Sequence, residues 1–250
     1  MDSANNIYEI SIIDRLAVVK IKENAFGLLS DPIESDTFIE SLDKIQYDPH
    51  IKSVLFLNKP GCFGEEIYDK FIKKMTISFD ENERFDTPDF CDKFLRLKEM
   101  NILIRFVEYL SQFKKFCFTL LSGGIVTPFF GASMALDIRY ATTDMYFSLS
   151  HIKYGLHPSG GLPYFLVRQL GYNKAVELLL HDKISAKEAL ELGLINRIIR
   201  NDNPVDEIIN EVQDLTSIRS CTLRRTKQLA AFTRDTLDEY FIYESSLLNL

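Results

Sequence analysis

Short apolar runs alternate with segments of helical periodicity along most of this 250-residue chain. The runs Leu16–Ile21, 53–57 (SVLFL) and Phe116–Leu121 are nearly continuous and rich in β-branched or aromatic residues, which is typical of buried strands. Asp31 followed by Pro32 predicts the start of a helix between the first two runs. Strands that alternate with helices predict an α/β fold.

The same signals predict further elements. Ser185 and Glu188 have the spacing of a capping box that opens a short helix. Residues 75–98 are polar, charged and interrupted by a proline, so we expect a surface segment there that is partly helical near its end. Other helices are predicted over residues 101–114, 129–136 and 172–181, other strands over 138–141, 146–149 and 194–199, and two amphipathic helices from Val205 onward.

Composition excludes several classes of function. The net charge is −7 without a basic cluster, which argues against a nucleic-acid partner. No apolar run reaches about 18 residues, so we expect no membrane span. The four histidines lack metal-binding spacing, and the N-terminus lacks the pattern of a signal peptide. We therefore expect a cytoplasmic protein without a metal site.

The order of motifs in the second half of the chain is specific. Ser122-Gly123 follows a predicted strand, and Ala135-Leu136-Asp137 ends the next helix. A loop with Pro158 and Gly160-Gly161 comes next, and the segment ISAKEALELGLINRII closes the series at residues 184–199. Over about residues 8–245 the chain resembles the crotonase (enoyl-CoA hydratase/isomerase) superfamily, and the last segment carries the resemblance best.

The resemblance implies a crotonase-like ββα superhelix, a spiral core, in residues 1–200. It also implies a C-terminal helical region, residues 201–250, that builds a homotrimer or a hexamer. The implied ligand is an acyl thioester of coenzyme A or of the phosphopantetheine of an acyl-carrier protein, and no other cofactor is required. The shared chemistry is an oxyanion hole of two backbone N–H groups that stabilises a thioester enolate.

Several site positions carry residues that are unusual for this family. By position, the first oxyanion donor is the N–H of Glu65, directly after Gly64. The second falls on Pro128, which has no N–H, so a neighbouring N–H substitutes or the hole is incomplete. The positions of the two hydratase glutamates fall on Gly131 and His151, and hydration by the usual pair of carboxylates is not expected.

Three residues near the second site are candidates for proton transfer. His151 titrates near neutrality when unperturbed and could act as an acid or base, or it could bond a carbonyl at a strand end. Lys153-Tyr154-Gly155 is similar to a stretch of the decarboxylases of polyketide β-branching, in which a lysine could pair with the departing carboxylate. Alternatively, Lys153 is a solvated surface residue. His157 precedes Pro158 in a loop that approaches the acyl group in this family.

Four further residues are assigned to thioester binding. Lys22 and Lys59 follow two strands, where basic residues of the family meet the phosphates of coenzyme A, although surface lysines are common. Gly64 and Glu66 lie beside the first oxyanion donor.

Three functions remain open. The first is an enolate-stabilising lyase or isomerase with non-standard acid and base residues. The second is a catalytically inactive member that binds an acyl thioester or an assembly partner. The third is a hydratase with displaced acid and base residues such as Glu65 or Glu66.

Overall fold

The computed structural model of this chain describes residues 3–78, 89–90, 93–231 and 236–246. Its strands are β1 (Ser3–Ala4), β2 (Tyr8–Ile13), β3 (Leu16–Ile21), β4 (Ser53–Asn58), β5 (Thr76–Ser78), β6 (Asp89–Phe90), β7 (Phe116–Leu121), β8 (Gly124–Val126), β9 (Ile138–Thr142), β10 (Tyr146–Ser148), β11 (Lys183–Ser185) and β12 (Arg197–Ile199). Its helices are α1 (Gly27–Ser30), α2 (Pro32–Tyr47), α3 (Glu65–Met75), α4 (Lys93–Ser111), α5 (Thr127–Met134), α6 (Leu162–Leu170), α7 (Tyr172–Leu179), α8 (Ala186–Glu191), α9 (Pro204–Leu215), α10 (Ser220–Ala231) and α11 (Leu237–Ser246), with a 3-10 turn at Ile152–Tyr154.

A seven-stranded sheet in the order β1-β2-β3-β4-β7-β9-β12 forms the body of the fold. The five strands from β3 to β12 in this order pair in parallel, and β1 and β2 are antiparallel additions at one edge. Every residue of β4 is buried, because helices cover both faces of the sheet. This explains the continuous apolar runs of the sequence.

A second, three-stranded sheet in the order β11-β10-β8 gives the fold its spiral character. After β7 in the large sheet, the chain adds β8 to the small sheet and then forms α5. After β9 it adds β10, parallel to β8, and continues to α6. Two successive ββα units thus build the same two sheets, and the predicted α/β fold with a ββα spiral core is confirmed.

The C-terminal helices pack on this body. Ile208 and Val212 of α9 are buried against Leu55 and Phe118 on the outer face of the large sheet. The described residues contain three helices after residue 203, whereas the sequence predicts two. The division at residues 200 and 201 and the oligomer remain predictions. Among the described residues, no helix is both long and apolar enough to cross a bilayer.

Local signals place several elements correctly. β3 and β7 have the predicted bounds. The Asp31 carboxylate accepts the N–H of Ile33 at 2.9 Å, which caps α2 as predicted. The predicted capping box of Ser185 and Glu188 is present at α8.

Other boundaries differ from the predictions. The helix predicted over 101–114 begins at Lys93. The end of the expected surface segment is thus helical, as predicted, but Arg96 is buried there rather than exposed, as are Glu99 and Met100. Residues 79–88 and 91–92 of that segment lie outside the described residues. Helix α5 begins two residues earlier than predicted, and the strand predicted over 194–199 is limited to Arg197–Ile199.

Candidate active site

The start of α3 and the start of α5 lie side by side. The N–H of Val126, just before α5, donates to the carbonyl of Phe63, just before α3, at 2.9 Å. The rings of Phe63 and Phe129 stack at a centroid distance of 4.0 Å. The two sequence-predicted oxyanion positions, Glu65 and Pro128, are therefore each two residues from this hydrogen bond. The fold brings them together as the resemblance implies.

The two helix N-termini provide backbone donors for an oxyanion. The first N–H groups of a helix have no partner within the helix, and the helix dipole favours negative charge there. Gly64 immediately precedes α3, and its N–H donates to the Gly61 carbonyl at 3.0 Å. Pro128 occupies the first turn of α5, is buried, and contributes no N–H. The N–H groups of Thr127 and Phe129 flank it.

The Gly131 position has no room for a side chain. A Cβ atom built on Gly131 would lie 2.4 Å from the Gly160 carbonyl oxygen and 2.9 Å from the Ser159 carbonyl oxygen. Gly160 and Gly161 have φ angles of +73° and +70°, which allow this loop to pass directly over α5. Loop backbone therefore fills the space next to Gly131.

His151 is buried, with 4% of its surface exposed. A hydrogen bond of 2.9 Å joins its Nδ1 to Oγ1 of Thr127 at the start of α5. Burial lowers the pKa of His151 to about 4, and the nearby His157 acts in the same direction. Titration near neutrality, expected for an unperturbed histidine, is therefore wrong for this buried side chain, which is uncharged at pH 7. Its partner is a hydroxyl rather than a strand-end carbonyl.

Lys153 lies in the 3-10 turn Ile152–Tyr154, and His157 lies in the loop that follows this turn. Lys153 Nζ is 3.0 Å from Asp69 Oδ2, and the lysine side chain is 57% exposed. The Tyr154 hydroxyl donates to the other oxygen of Asp69, so this carboxylate ties α3 to the 3-10 turn. His157 is half-buried, and burial lowers its pKa. Its Nε2 is buried without a hydrogen-bond partner among the described residues.

The remaining predicted residues form ion pairs at the surface. Glu65 Oε1 lies 2.9 Å from Lys183 Nζ. Partial burial raises the pKa of this carboxyl, but hydrogen bonds from Lys183 and Ser148 outweigh that effect and hold the pKa below its ordinary value. Glu66 pairs with Lys70 one turn along α3.

The two lysines assigned to phosphate also have acidic partners. Lys22 donates to the Asn5 carbonyl at 3.0 Å and lies 3.6 Å from Glu9. Lys59 pairs with Glu23, and its side chain is half-exposed.

A small cavity next to Pro128 contains the charged groups that sequence reasoning missed. It has a volume of about 20 Å³, which is room for one water molecule. Its polar lining comes from Tyr68 on α3, Arg96 and Glu99 on α4, and Ser159 on the loop that covers Gly131.

Glu99 is the unusual member of this lining. Its side chain is 5% exposed, and Arg96 Nη1 is 3.9 Å from its Oε2, too far for a hydrogen bond. Among the described residues Oε2 has no hydrogen-bond partner. Burial raises the pKa of Glu99 to about 7, although Arg96, Lys74 and Lys98 act to lower it.

A periodicity signal could have found both charged residues. Arg96 and Glu99 precede the buried residues Met100, Leu103 and Val107 at helical spacing, so they lie on the buried face of α4. The described residues contain no cluster of three or more side chains suited to a metal ion.

Comparisons with known proteins agree with this architecture. The enoyl-CoA hydratase from Bacillus halodurans is similar in structure, with a TM-score of 0.76 and 20% identity over 97% of this chain and 95% of that chain, a likeness of fold. Enoyl-CoA hydratase EchA19 from Mycobacterium tuberculosis (strain ATCC 25618 / H37Rv) is 44% identical over 64 residues, 25% of this chain and 24% of that protein. The short-chain-enoyl-CoA hydratase from Clostridioides difficile is 30% identical over 97 residues, 38% of this chain and 63% of that protein. In both matches the chain spans less than two thirds of its relative.

The family model of enoyl-CoA hydratase/isomerase matches residues 109–249, more than half of the chain. This region contains α5, the loop over Gly131, the buried His151 and the half-buried His157. Coenzyme A thioesters are the substrates of that family. On this evidence the chain belongs to the enoyl-CoA hydratase/isomerase family.

Proposed function

We propose that this protein binds an acyl-CoA thioester and catalyses a lyase or isomerase reaction through its enolate, without the two hydratase glutamates. The observation that carries the proposal is the contact between α5 and the loop above it. The Gly160 carbonyl would lie 2.4 Å from a Cβ on Gly131, so no carboxylate fits at the first glutamate position. His151, at the second position, is buried and uncharged near pH 7. A pair of carboxylates that holds a water for addition is therefore missing.

The start of α3 and the start of α5 supply the oxyanion hole in this proposal. The Glu65 N–H is one donor, and the N–H of Thr127 or Phe129 replaces the donor that Pro128 lacks. Developing negative charge on the thioester oxygen is stabilised by fixed donors in a site with little water. Decarboxylation and double-bond isomerisation both pass through such an enolate and need one group that moves a proton.

The phosphopantetheine arm is common to coenzyme A and acyl-carrier proteins, so either carrier fits the proposal. Lys22 and Lys59 would exchange Glu9 and Glu23 for phosphate oxygens. A homotrimer or a hexamer is proposed for the assembly, and light scattering after size-exclusion chromatography measures it.

Mass spectrometry of purified protein with defined thioesters tests the reaction class. Loss of carbon dioxide from 3-methylglutaconyl-CoA supports a decarboxylase, and formation of a conjugated 2-enoyl product from 3-hexenoyl-CoA, seen by absorbance, supports an isomerase. Addition of water to crotonyl-CoA as the main reaction would contradict the proposal and favour a hydratase with displaced residues. The same thioesters on an acyl-carrier protein test the carrier.

Pro128 favours a second candidate, a catalytically inactive thioester-binding protein. A proline in the first turn of α5 removes one donor from the place where an oxyanion would sit. Binding of butyryl-CoA by calorimetry, with no chemical change in any thioester, would support this candidate over the enzyme.

A further inference from the structure

We propose that Glu99 is the acid and base of this site and moves a proton to and from the carbon next to the thioester carbonyl. This assignment rests on the proposed function. It goes beyond the family resemblance, because that resemblance places its acid and base positions at Gly131 and His151 and neither at Glu99.

The first observation that supports the assignment is the position of Glu99. Glu99 and Pro128 line the same small cavity, and Pro128 stands in the first turn of α5, where the thioester oxygen is proposed to bind. The cavity has room for one water molecule, through which the carboxyl would exchange its proton in this proposal.

The second observation that supports the assignment is that one oxygen of the Glu99 carboxyl has no hydrogen-bond partner among the described residues. Buried carboxylates in proteins are ordinarily paired and hydrogen-bonded, because burial of an isolated charge is costly. Within the described part of the chain, Glu99 Oε2 has no hydrogen-bond partner, and its ion pair with Arg96 Nη1 is long, at 3.9 Å. A carboxyl in this state readily takes up and releases a proton.

The other candidate groups are less suited to proton transfer. Lys183 pairs with the Glu65 carboxylate at the surface. Lys153 is largely exposed and pairs with Asp69. His151 is engaged by the Thr127 hydroxyl and lies outside the lining of this cavity.

The Glu99 carboxylate takes a proton from the α-carbon, and the C–H electron pair moves into the enolate on the thioester oxygen. The resulting carboxylic acid returns the proton to the α-carbon, or to the γ-carbon when a double bond shifts. In a decarboxylation, the C–C bond breaks, carbon dioxide leaves, its electron pair enters the enolate, and protonated Glu99 supplies the proton. A pKa near 7 populates both forms of the acid at neutral pH.

Hydrogen–deuterium exchange at the α-carbon of butyryl-CoA, followed by NMR in D₂O, tests this assignment. Wild-type protein is expected to exchange the α-hydrogens, and Glu99→Gln is expected to slow exchange by roughly 10²–10⁴-fold. Butyryl-CoA should bind both proteins with similar Kd values by calorimetry. Glu108→Gln is the matched control, because Glu108 lies on the same helix about 14 Å further along its axis.

A pH profile of exchange separates a proton-transfer role from a structural one. Wild-type exchange should change with an inflection near pH 7, and this inflection should be absent from the residual rate of Glu99→Gln. The groups that face or influence Glu99 are Tyr68 and Lys74 from α3, Arg96 and Lys98 from α4, and His157, through Arg96, from the loop.

The outcomes distinguish this assignment from the proposed function. Wild-type exchange with an unchanged rate in Glu99→Gln would overturn the role of Glu99 and leave the proposed enolate chemistry intact. A wild-type protein that neither binds nor exchanges butyryl-CoA would overturn both. If Glu99→Gln does not fold, Glu99→Asp keeps the charge but moves the carboxyl, and a wild-type rate in that variant would also contradict the assignment.

Discussion

The Gly160 carbonyl oxygen lies so close to Gly131 that a Cβ atom on Gly131 would be 2.4 Å from it. Both partners are backbone, in α5 and in a loop held by two successive glycines with positive φ angles. Neither can move aside as a flexible side chain would. The contact therefore excludes every residue except glycine at position 131, including the glutamate that a hydratase needs.

We expect Gly131→Glu to destabilise the fold and not to create a hydratase. The smaller change Gly131→Ala already forces the helix and the loop apart, which should lower the free energy of unfolding by about 3 kcal/mol or more. Urea denaturation measures this. Ser133→Ala is a control in the same helix, because it removes only the hydroxyl bond to the Phe130 carbonyl and should cost about 1 kcal/mol. Equal stability of Gly131→Ala and wild type would show that the loop at Gly160 can move away from α5 without loss of stability.

Lys227 anchors α10 of the C-terminal region to the core, and its substitution should lower the free energy of unfolding. Its buried ammonium on α10 lies 2.7 Å from Asp137 Oδ2 and 2.6 Å from the Lys115 carbonyl oxygen. Lys227→Met leaves the Asp137 carboxylate, whose side chain is only 14% exposed, without its cation, which should lower the free energy of unfolding by about 3 kcal/mol. The measurement is urea denaturation at pH 7.

A surface pair provides the comparison for Lys227. Lys187 and Glu191 lie one turn apart on α8 with side chains 83% and 64% exposed. Lys187→Met should change stability by less than about 1 kcal/mol. If the two methionine variants lose equal stability, the buried pair has no special role in anchoring α10.

The sequence predicts the strands of the core well and the charged lining of the cavity poorly. β3 and β7 are continuous apolar runs that end at polar or glycine residues, so local signals suffice for them. Arg96 and Glu99 stand in a charged stretch that resembles a solvated surface. Their helical spacing with Met100, Leu103 and Val107 places them on one face of α4, but the packing of that face against α1 and α5, which buries them, follows only from the fold.

The site positions show the same division. The resemblance places Glu65 and Pro128 correctly as neighbours, because it transfers the path of the backbone. The resemblance does not predict the contact between Gly131 and the Gly160 carbonyl, or the hydrogen bond between His151 and Thr127. Side-chain environments of this kind follow from three-dimensional packing rather than from the spacing of motifs.

His151 should make the protein sensitive to acid. Burial lowers its pKa to about 4 in the folded chain from an ordinary 6.5, so the folded state resists protonation. The contribution of this shift to the free energy of unfolding is fully present above about pH 6.5. It is lost as the pH falls toward 4, and the loss is on the order of 3 kcal/mol. His151→Gln keeps a side chain that can hydrogen-bond the Thr127 hydroxyl and cannot titrate, so its unfolding free energy should fall less over this range.

The control for His151 is the exposed His50. His50→Gln removes an imidazole from the surface and should leave the acid sensitivity in place. Thermal or urea unfolding from pH 4 to pH 7 gives the comparison. A His151→Gln curve parallel to that of wild type would contradict the buried, uncharged imidazole.

Glu99 should act on stability in the opposite direction. Burial raises its pKa in the folded chain from an ordinary 4.5 to about 7, so the folded state holds a proton that the unfolded chain releases. The contribution of Glu99 to the free energy of unfolding is fully present below about pH 4.5. It falls by roughly 3 kcal/mol as the pH rises through 7.

Glu99→Gln removes this dependence, because the amide does not titrate. The unfolding free energy of the variant minus that of wild type should therefore rise between about pH 4.5 and pH 7, whatever constant cost the amide brings. Glu108→Gln on the same helix provides the comparison, with a smaller rise expected because Glu108 is less buried. A difference for Glu99→Gln that stays flat with pH would mean that the carboxyl is ionised and well solvated in the folded protein. That result would remove the physical basis for its use as an acid and base.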